Sequence, residues 1–363
     1  MTHRLTRRGV IGAGAGLALL PPWAFGASGQ VFTVIGTGMA GFAVDGELAG
    51  DARINDPFGV LFGPDGALYW ADFGSNRVLK LKSGLVSVVA GNGEKGHAGD
   101  GGPAWAARLS APHEIRFDSK GNMLIAERDS HVVRIMDARS GVISTLAGTG
   151  APGFGGDGGP SVSAQLRQPH SIALDSSDNL YICDIQNNRV RRRYAATGLL
   201  TTFAGNGETA DTPDGAPLQA PLHGPRSIDI GPDGTIYLIL REGNKVYSIV
   251  PGQGVLRHIA GTGEKGYSGD GGPARDAKFN GPKGVSYAPD GSLYISDTEN
   301  HVIRKVSLRD GMISTLLGTG IRGDGPDGDP RNCALARPHG VTVRNGLLYI
   351  GDSENHRIRA LRI

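Results

Sequence analysis

Residues 294–304 read Tyr-Ile-Ser-Asp-Thr-Glu-Asn-His-Val-Ile-Arg, and residues 349–359 repeat the pattern as Tyr-Ile-Gly-Asp-Ser-Glu-Asn-His-Arg-Ile-Arg. In both stretches an alternating apolar segment ends in Asp, a short polar turn follows, and a second apolar segment begins. A period of two is typical of a strand, and a polar stretch between two such segments indicates a tight antiparallel turn. The two stretches therefore predict two copies of one β-hairpin.

This hairpin belongs to a unit that recurs six times. A Gly that follows an apolar or small residue returns every 55–57 residues, and a Gly-rich connector, a Pro and a short apolar run come after it. Each unit holds four short strands, and helical periodicity is missing throughout. Because antiparallel four-stranded units repeated at a fixed period are typical of propellers, we predict an all-β fold, a six-bladed β-propeller over residues 30–363. The marker glycines are Gly36, Gly91, Gly148, Gly205, Gly261 and Gly318.

The two ends of the chain predict how the ring closes. After Gly318 the last unit supplies only three strands, and the segment from Gln30 to Ile35 has the pattern of the fourth. Pairing the N-terminal strand into the last blade would close the ring and hide its edges.

Residues 1–29 are predicted to be a signal peptide. Arg4, Arg7 and Arg8 precede an uncharged stretch from Gly9 to Leu20, which is shorter than the about 20 residues of a transmembrane span. The adjacent arginines resemble a twin-arginine export signal, and an ordinary secretory signal is the alternative. We expect a periplasmic or secreted protein without membrane insertion once the signal is removed.

The charge balance limits the classes of partner. The whole chain has a net charge of +2, and residues 1–29 hold three of its 37 basic residues and none of its 35 acidic ones. This balance excludes a disordered polyelectrolyte and predicts no nucleic-acid partner. The expected partners are a small anionic molecule, or a protein or glycan, and we expect a monomer. Cys183 and Cys333 fall in blades 3 and 6, on opposite sides of the ring, so we predict that they are not paired to each other.

The two quoted stretches resemble the NHL repeat, and the similarity extends over residues 31–363. The resemblance implies a propeller, but the family includes enzymes, sensors and scaffolds, so it does not imply one function.

One ring of residues is expected at the mouth of the central channel. The residue after the recurring Pro begins the innermost strand of each blade, so six such residues should face one another. Three are histidines, His113, His170 and His339, which predict a metal site for zinc or copper with an open position. Arg226 and Lys283 argue instead for an anionic ligand, and a hydrated polar ring is the third alternative. The sixth member is Phe58.

A second ring follows strand two of each blade. Four blades end that strand in Asp, which we expect to cap backbone N–H groups of the following turn; these are Asp72, Asp184, Asp297 and Asp352. Arg128 and Arg241 follow strand two in blades 2 and 4. They are predicted to bind a substrate carboxylate, or else to pair with Asp129 and Glu242 at the surface.

The chain also resembles peptidyl-α-hydroxyglycine α-amidating lyase, a six-bladed enzyme of similar type. That resemblance implies metal ligation by the Pro-His pairs at His113, His170 and His339, and a catalytic role for Arg128, with Arg241 a second match. Two features depart from it, because the histidines fall on blades 2, 3 and 6 rather than on alternate blades, and no Tyr stands where that family has its catalytic one.

The first hypothesis is therefore an exported, metal-assisted lyase or hydrolase acting on a small carboxylate-bearing substrate. The alternative is a non-catalytic periplasmic scaffold that holds a ligand, protein or glycan on rim residues such as Trp105, Phe154 and Tyr267. A third hypothesis is a quinone-dependent dehydrogenase.

Overall fold

The computed structural model describes residues 29–250 and 252–363, so the predicted signal peptide lies outside the described residues, apart from Gly29. Within them, 24 strands form six four-stranded antiparallel sheets, the blades. Blade 1 holds β2 (Pro57–Phe62), β3 (Leu68–Asp72), β4 (Arg77–Lys82) and β5 (Leu85–Ala90); blade 2 holds β6 (Pro112–Phe117), β7 (Met123–Glu127), β8 (Val132–Met136) and β9 (Ile143–Ala147); blade 3 holds β10 (Pro169–Leu174), β11 (Leu180–Asp184), β12 (Arg189–Arg193) and β13 (Leu200–Ala204). Blade 4 holds β14 (Pro225–Ile230), β15 (Ile236–Leu240), β16 (Lys245–Ile249) and β17 (Leu256–Ala260); blade 5 holds β18 (Gly284–Ala288), β19 (Ser292–Asp297), β20 (Val302–Ser307) and β21 (Ile313–Leu317); blade 6 holds β22 (Pro338–Arg344), β23 (Leu347–Asp352), β24 (Arg357–Arg362) and β1 (Val31–Ile35).

The blades form a closed ring, as the sequence predicts. The first strand of each blade contacts the first strand of the next, from β2 through β6, β10, β14 and β18 to β22, which contacts β2 again. Blade 6 takes its outer strand from the N-terminus, because β1 pairs antiparallel with β24 from Val31 opposite Leu361 to Ile35 opposite Ile358. This pairing leaves no blade with a missing strand.

The core lies between adjacent blades. The second strand of each blade is buried along its whole length, so both faces of each sheet pack against neighbouring blades. Trp70 of β3 is fully buried between blades 1 and 6, and its indole N–H donates to Asp72 at 3.1 Å. The described residues contain only 3-10 helices, of three residues each, and no helix among them is both apolar and long enough to cross a bilayer. They are Phe73–Ser75, Ala104–Ala106, Ser161–Ser163, Ile185–Asn187, Ala274–Asp276, Thr298–Asn300 and Ser353–Asn355.

A left-handed residue at the start of strand three joins each blade to the next. The position is Asn or His in all six blades, with φ between 48° and 58°, a region that Asn and His adopt more readily than most residues. Its side chain accepts a hydrogen bond from the backbone N–H of the residue before the recurring Pro of the following blade; for example, Asn244 accepts from Gly281 at 2.8 Å and His301 from Arg337 at 3.1 Å. The repeat histidines at this position therefore have a structural role. The six are Asn76, His131, Asn188, Asn244, His301 and His356.

In four of the six blades, strand three carries a fully buried arginine. Arg191 pairs with Asp184 at the end of strand two at 3.4 Å and with Asp157 of the Gly-rich connector at 2.6 Å. The same arrangement recurs at Arg134, Arg304 and Arg359. The Asp of the Gly-rich connector is thus a structural partner of the buried arginine.

The strand-two carboxylates differ from the prediction in what they cap. Asp184 accepts the backbone N–H of Arg167 at 2.6 Å, and Asp297 accepts that of Asn280 at 2.8 Å. These N–H groups belong to the connector before strand one, and the following 3-10 turn supplies side chains such as Asn187 instead. The caps therefore bind the inter-blade connector to the channel mouth.

Both cysteines are buried and free of disulfide bonds.

Candidate functional site

All seven sequence-predicted site residues line one cavity of about 260 Å³ at the channel mouth. Phe58, His113, His170, Arg226 and His339 are the second residues of their strands, and Lys283 immediately precedes β18. Arg128 and Arg241 reach the same cavity from the turns after β7 and β15. The repeat geometry therefore converts two recurring sequence positions into one site.

Arg226 is a buried guanidinium without a carboxylate partner. Only 4% of the residue is exposed, and its Nη2 lies 2.8 Å from Nε2 of His113. Among the described residues, no carboxylate oxygen lies within 4 Å of it. Burial and the neighbouring Arg241 lower its pKa, and the more distant carboxylates of Glu114 and Glu242 oppose that shift. A buried cation without a direct ion-pair partner is costly, so an anion bound at this side chain would be stabilised by a contact that the fold leaves open.

The three histidines are held in the neutral form. Burial lowers the pKa of each well below its ordinary value, and Arg226 lowers the pKa of His113 and His170 further, as Lys283 does that of His339. Nδ1 of His170 lies 2.7 Å from the carbonyl oxygen of Gln168, and Nδ1 of His339 lies 2.9 Å from that of Arg337. A carbonyl only accepts, so in both rings Nδ1 donates and Nε2 carries the free lone pair.

These residues do not fit a divalent metal. Within residues 29–250 and 252–363, no group of three His, Cys, Asp or Glu side chains is placed to hold one. Nε2 of His113 is already occupied by Arg226, and the ring of His339 is stacked on Phe58 with 3.9 Å between centroids. Two cationic side chains, Arg226 and Lys283, stand in the same ring and repel a cation. The three histidines share a cavity but are not grouped as ligands as their side chains lie, and the metal site stays a prediction.

One wall of the cavity is aromatic. Phe58 lies between His339 and Phe73, with 4.3 Å between the two phenyl centroids. The Arg128 guanidinium lies 4.8 Å from the centroid of Phe73. Phe73 has the same repeat position in blade 1 that Arg128 has in blade 2. The sequence therefore places Phe73 at the channel mouth, although the sequence analysis assigned it no role.

An ion network on blades 5 and 6 adjoins this aromatic wall, and it is formed by Lys283, Glu299, Arg337 and Glu354. Lys283 lies 2.7 Å from Glu299, whose two carboxylate oxygens also accept from Arg337 at 2.7 and 2.9 Å, and Arg337 reaches Glu354 at 2.8 Å. Desolvation opposes ionisation of Glu299, but the hydrogen bonds from Arg337 and Lys283 outweigh it and lower its pKa to about 2. Sequence reasoning missed Arg337; its signal was the position directly before the recurring Pro, where blades 4 and 5 have Gly.

Arg128 and Arg241 form the predicted surface ion pairs, and their binding of a substrate carboxylate stays a prediction. Nε of Arg128 lies 2.7 Å from Asp129, and Nη1 of Arg241 lies 3.0 Å from Glu242. Both line the cavity and remain partly exposed, so their pairing is the weak kind found at surfaces. They can reorient towards a ligand at little cost.

Beneath the mouth the channel narrows to a space of about 20 Å³. Arg116 bonds Glu114 there, and Asp229 accepts the backbone N–H of Tyr287 at 2.7 Å. This space is too small for more than a water-sized molecule.

Comparison with known proteins agrees with this architecture. The NHL repeat model matches residues 166–192 and 335–361, and the model of the teneurin NHL domain matches residues 258–323. The protein Suppressor of Quenching 1 of Arabidopsis thaliana is 27% identical over 286 residues, covering 76% of this chain. Mouse teneurin-1 is 28% identical over 280 residues, covering 66% of the chain. The chain spans 27% of the plant protein and 10% of the teneurin.

Solved structures share the fold at low identity. An auxiliary nutrient binding protein from Bacteroides thetaiotaomicron superposes with a TM-score of 0.68 at 19% identity, covering 91% of this chain and 75% of that one. A gluconolactonase from Xanthomonas campestris gives 0.57 at 15% identity, covering 89% and 98%. A catalytically inactive virginiamycin B lyase from Staphylococcus aureus, with quinupristin, gives 0.52 at 16% identity, covering 85% and 80%. These neighbours include both enzymes and binding proteins, so they show the fold alone. The chain is a six-bladed β-propeller, and parts of it match models of NHL repeats.

Proposed function

We propose that the channel mouth binds a small carboxylate-bearing molecule and acts on it as a lyase or hydrolase. The observation that carries this proposal is Arg226, a buried cation that faces a cavity and has only a neutral imidazole as its hydrogen-bond partner. A carboxylate would accept two parallel hydrogen bonds from the guanidinium and would supply the missing charge.

The size of the cavity supports a small ligand. Its volume of about 260 Å³ is just below the range of about 300–1,000 Å³ typical of small-molecule sites. Arg128, Arg241 and Lys283 add positive charge around the same space. A compact molecule with one or two carboxylates fits this combination of volume and charge.

The neutral histidines supply the chemistry. Nε2 of His170 and of His339 carries a free lone pair at the proposed anion site, so either imidazole can accept a proton from a bound substrate. Arg226 would stabilise negative charge that develops on the substrate as a proton is removed or water attacks. The virginiamycin B lyase neighbour, whose inactive form carries a histidine-to-alanine substitution, supports a base of this kind on a propeller. No step is assigned to a metal, since the residues do not fit one.

The test is equilibrium binding by isothermal titration calorimetry with a panel of mono- and dicarboxylates. We expect Arg226→Gln to weaken binding by about 100-fold or more, because it removes a charge-assisted bidentate contact of about 3 kcal/mol. The matched control is Arg331→Gln, which removes an exposed arginine paired with Asp329 and should leave binding unchanged. Equal affinity in wild type and Arg226→Gln would refute the site.

Turnover separates this proposal from its alternative, a non-catalytic binding module. The nutrient binding neighbour and the exposed rim favour that alternative, since Trp105 is 64% exposed and Phe154 and Tyr267 are also exposed. An enzyme loses turnover in His170→Asn with binding retained. A scaffold has no turnover to lose and instead loses its partner in Trp105→Ala.

Export remains a prediction from residues 1–29. Its test is the location of the full chain in cells beside an Arg7→Lys/Arg8→Lys variant. Retention of the variant inside the cell, with export of the wild type, would support the twin-arginine route.

A further inference from the structure

Lys283 is the one lysine whose amine lies in the cavity at the channel mouth, among the described residues. Its side chain is 4% exposed, and Nζ lies 2.7 Å from Glu299. It precedes β18, and β18 contacts β14, the strand that carries Arg226. The amine and the unpaired guanidinium therefore belong to neighbouring blades and face the same space.

The charges around this amine add up to an excess of positive charge. Glu299 is its one carboxylate partner, and both oxygens of that carboxylate are also bonded by Arg337. Arg226 and Arg337 are the cations that face it from blades 4 and 6, and His339 faces it from β22 in its neutral form. Two arginines and one shared carboxylate therefore surround the ammonium group.

Such an arrangement favours the uncharged amine. Burial is the largest cause, the nearby arginines add to it, and together they lower the pKa of Lys283 to about 7 although Glu299 opposes the shift. At neutral pH a substantial fraction of the side chain is then a free amine, which is the nucleophilic form.

We propose that Lys283 is a covalent site for α-oxo acids, with Arg226 holding the carboxylate while the amine adds to the adjacent carbonyl. This inference rests on the proposed function, and it narrows the substrate class to molecules in which a carbonyl stands next to a carboxylate. A single ligand can contact both groups because they line the same cavity, Arg226 from β14 and Lys283 from the residue before β18.

The step balances within the pair. The nitrogen lone pair forms a C–N bond to the carbonyl carbon, and the C–O π-bond breaks to give a carbinolamine. The oxygen then leaves as water with the two protons that the amine nitrogen gives up, and a C=N bond remains. The neutral histidines of the ring are the groups that can carry protons between nitrogen and oxygen.

The experiment is reductive trapping on the whole folded protein with pyruvate and sodium borohydride, followed by peptide mass mapping. We expect one stable adduct at Lys283, formed at least ten times faster than at any other lysine. Lys283→Arg keeps the positive charge and removes the nucleophile, so it should abolish this adduct. The control is Lys245→Arg, which replaces a lysine paired with Asp211 at 2.5 Å and should leave trapping unchanged.

Two further arms separate this inference from the proposed function. Calorimetric binding of an unreactive carboxylate, acetate or succinate, that depends on Arg226 without any pyruvate adduct at Lys283 overturns the covalent site and leaves the proposed function standing. An adduct at Lys283 that forms equally fast in Arg226→Gln overturns the pairing of the two residues. Loss of the adduct in both Lys283→Arg and Arg226→Gln supports the joint action of the two residues.

Discussion

Replacing Arg226 with Met should stabilise the protein while it destroys the anion site. The wild type leaves a guanidinium 4% exposed with a neutral imidazole as partner, and desolvating an ion costs several kcal/mol. The substitution loses one charged hydrogen bond, about 1.5–3 kcal/mol, and keeps a side chain of similar length. It also removes the cation that lowers the pKa of all three ring histidines and of Lys283.

The net effect should be a stabilisation of about 1–4 kcal/mol. In a chain longer than 250 residues, each kcal/mol corresponds to a rise in Tm of about 2 °C. The assay is urea denaturation beside calorimetry, in a buffer free of phosphate and organic acids, because a bound anion would stabilise the wild type alone.

The matched control is Arg191→Met in the same buffer. Arg191 is equally buried but pairs with Asp184 and Asp157, so its loss leaves an uncompensated carboxylate and should destabilise the fold by about 3–5 kcal/mol. Surface substitutions usually change stability by less than about 0.5 kcal/mol. If Arg226→Met lowers the free energy of unfolding by more than about 1 kcal/mol, the guanidinium stabilises the fold and the prediction is wrong.

Three further predictions concern other parts of the molecule. Glu299→Gln should lower the free energy of unfolding at pH 7, because the pKa of the Glu299 carboxyl is lower in the folded chain than in the unfolded one. The difference in stability between wild type and variant should disappear as the pH falls from about 4.5 to about 2, where the carboxylate of the wild type becomes protonated. A difference between their urea midpoints that stays constant across this pH range would contradict the prediction. Asn244→Ala should lower the free energy of unfolding by about 2–4 kcal/mol, because the N–H of Gly281 loses its acceptor and Ala must adopt φ 48°. Urea denaturation measures this change, and a decrease of less than about 2 kcal/mol would contradict a stabilising role for the inter-blade hydrogen bond. Cys183 and Cys333 should not react with a thiol reagent in the native state and should both react in denaturant, because burial raises the pKa of each thiol; fast native labelling of either would contradict its burial.

The repeat spacing was sufficient to predict the fold. Strand type follows from alternation, turn positions follow from Gly and Asp, and six equal periods leave few other architectures. The same periodicity identified the mouth ring, since the residue after each Pro occupies one geometric position. That is why Arg226, Lys283 and His113 were found together from sequence alone.

Side-chain direction could not be predicted in the same way. The repeat position predicts where the backbone of each ring residue lies, but it does not predict the side-chain partners. Arg226 packs against His113, and its hydrogen bond occupies Nε2, the nitrogen that would ligate a metal. Equal backbone positions therefore did not make equal ligands. The three histidines lie at one cavity, as their shared ring position predicts, and metal binding there stays a prediction.

One available signal was missed. An Arg recurs three residues after the left-handed His or Asn in four of six blades, and the other two carry Leu79 and Tyr247 there. A buried arginine needs a carboxylate, and the Asp of each Gly-rich connector was the obvious candidate. The repeat thus encodes its own ion pairs, which the analysis of composition alone cannot reveal.

The strand that completes blade 6 has a consequence for biosynthesis. Ile35 pairs with Ile358, so the ribosome releases β1 about 320 residues before its partner exists. At roughly 5–20 residues per second, this interval lasts roughly 16–65 seconds. Throughout it, the apolar segment Val31–Ile35 presents an unpaired edge to the crowded cell. The nascent chain is therefore most exposed to aggregation at its earliest strand, and a chaperone that shields this segment until synthesis ends would raise the yield of closed rings.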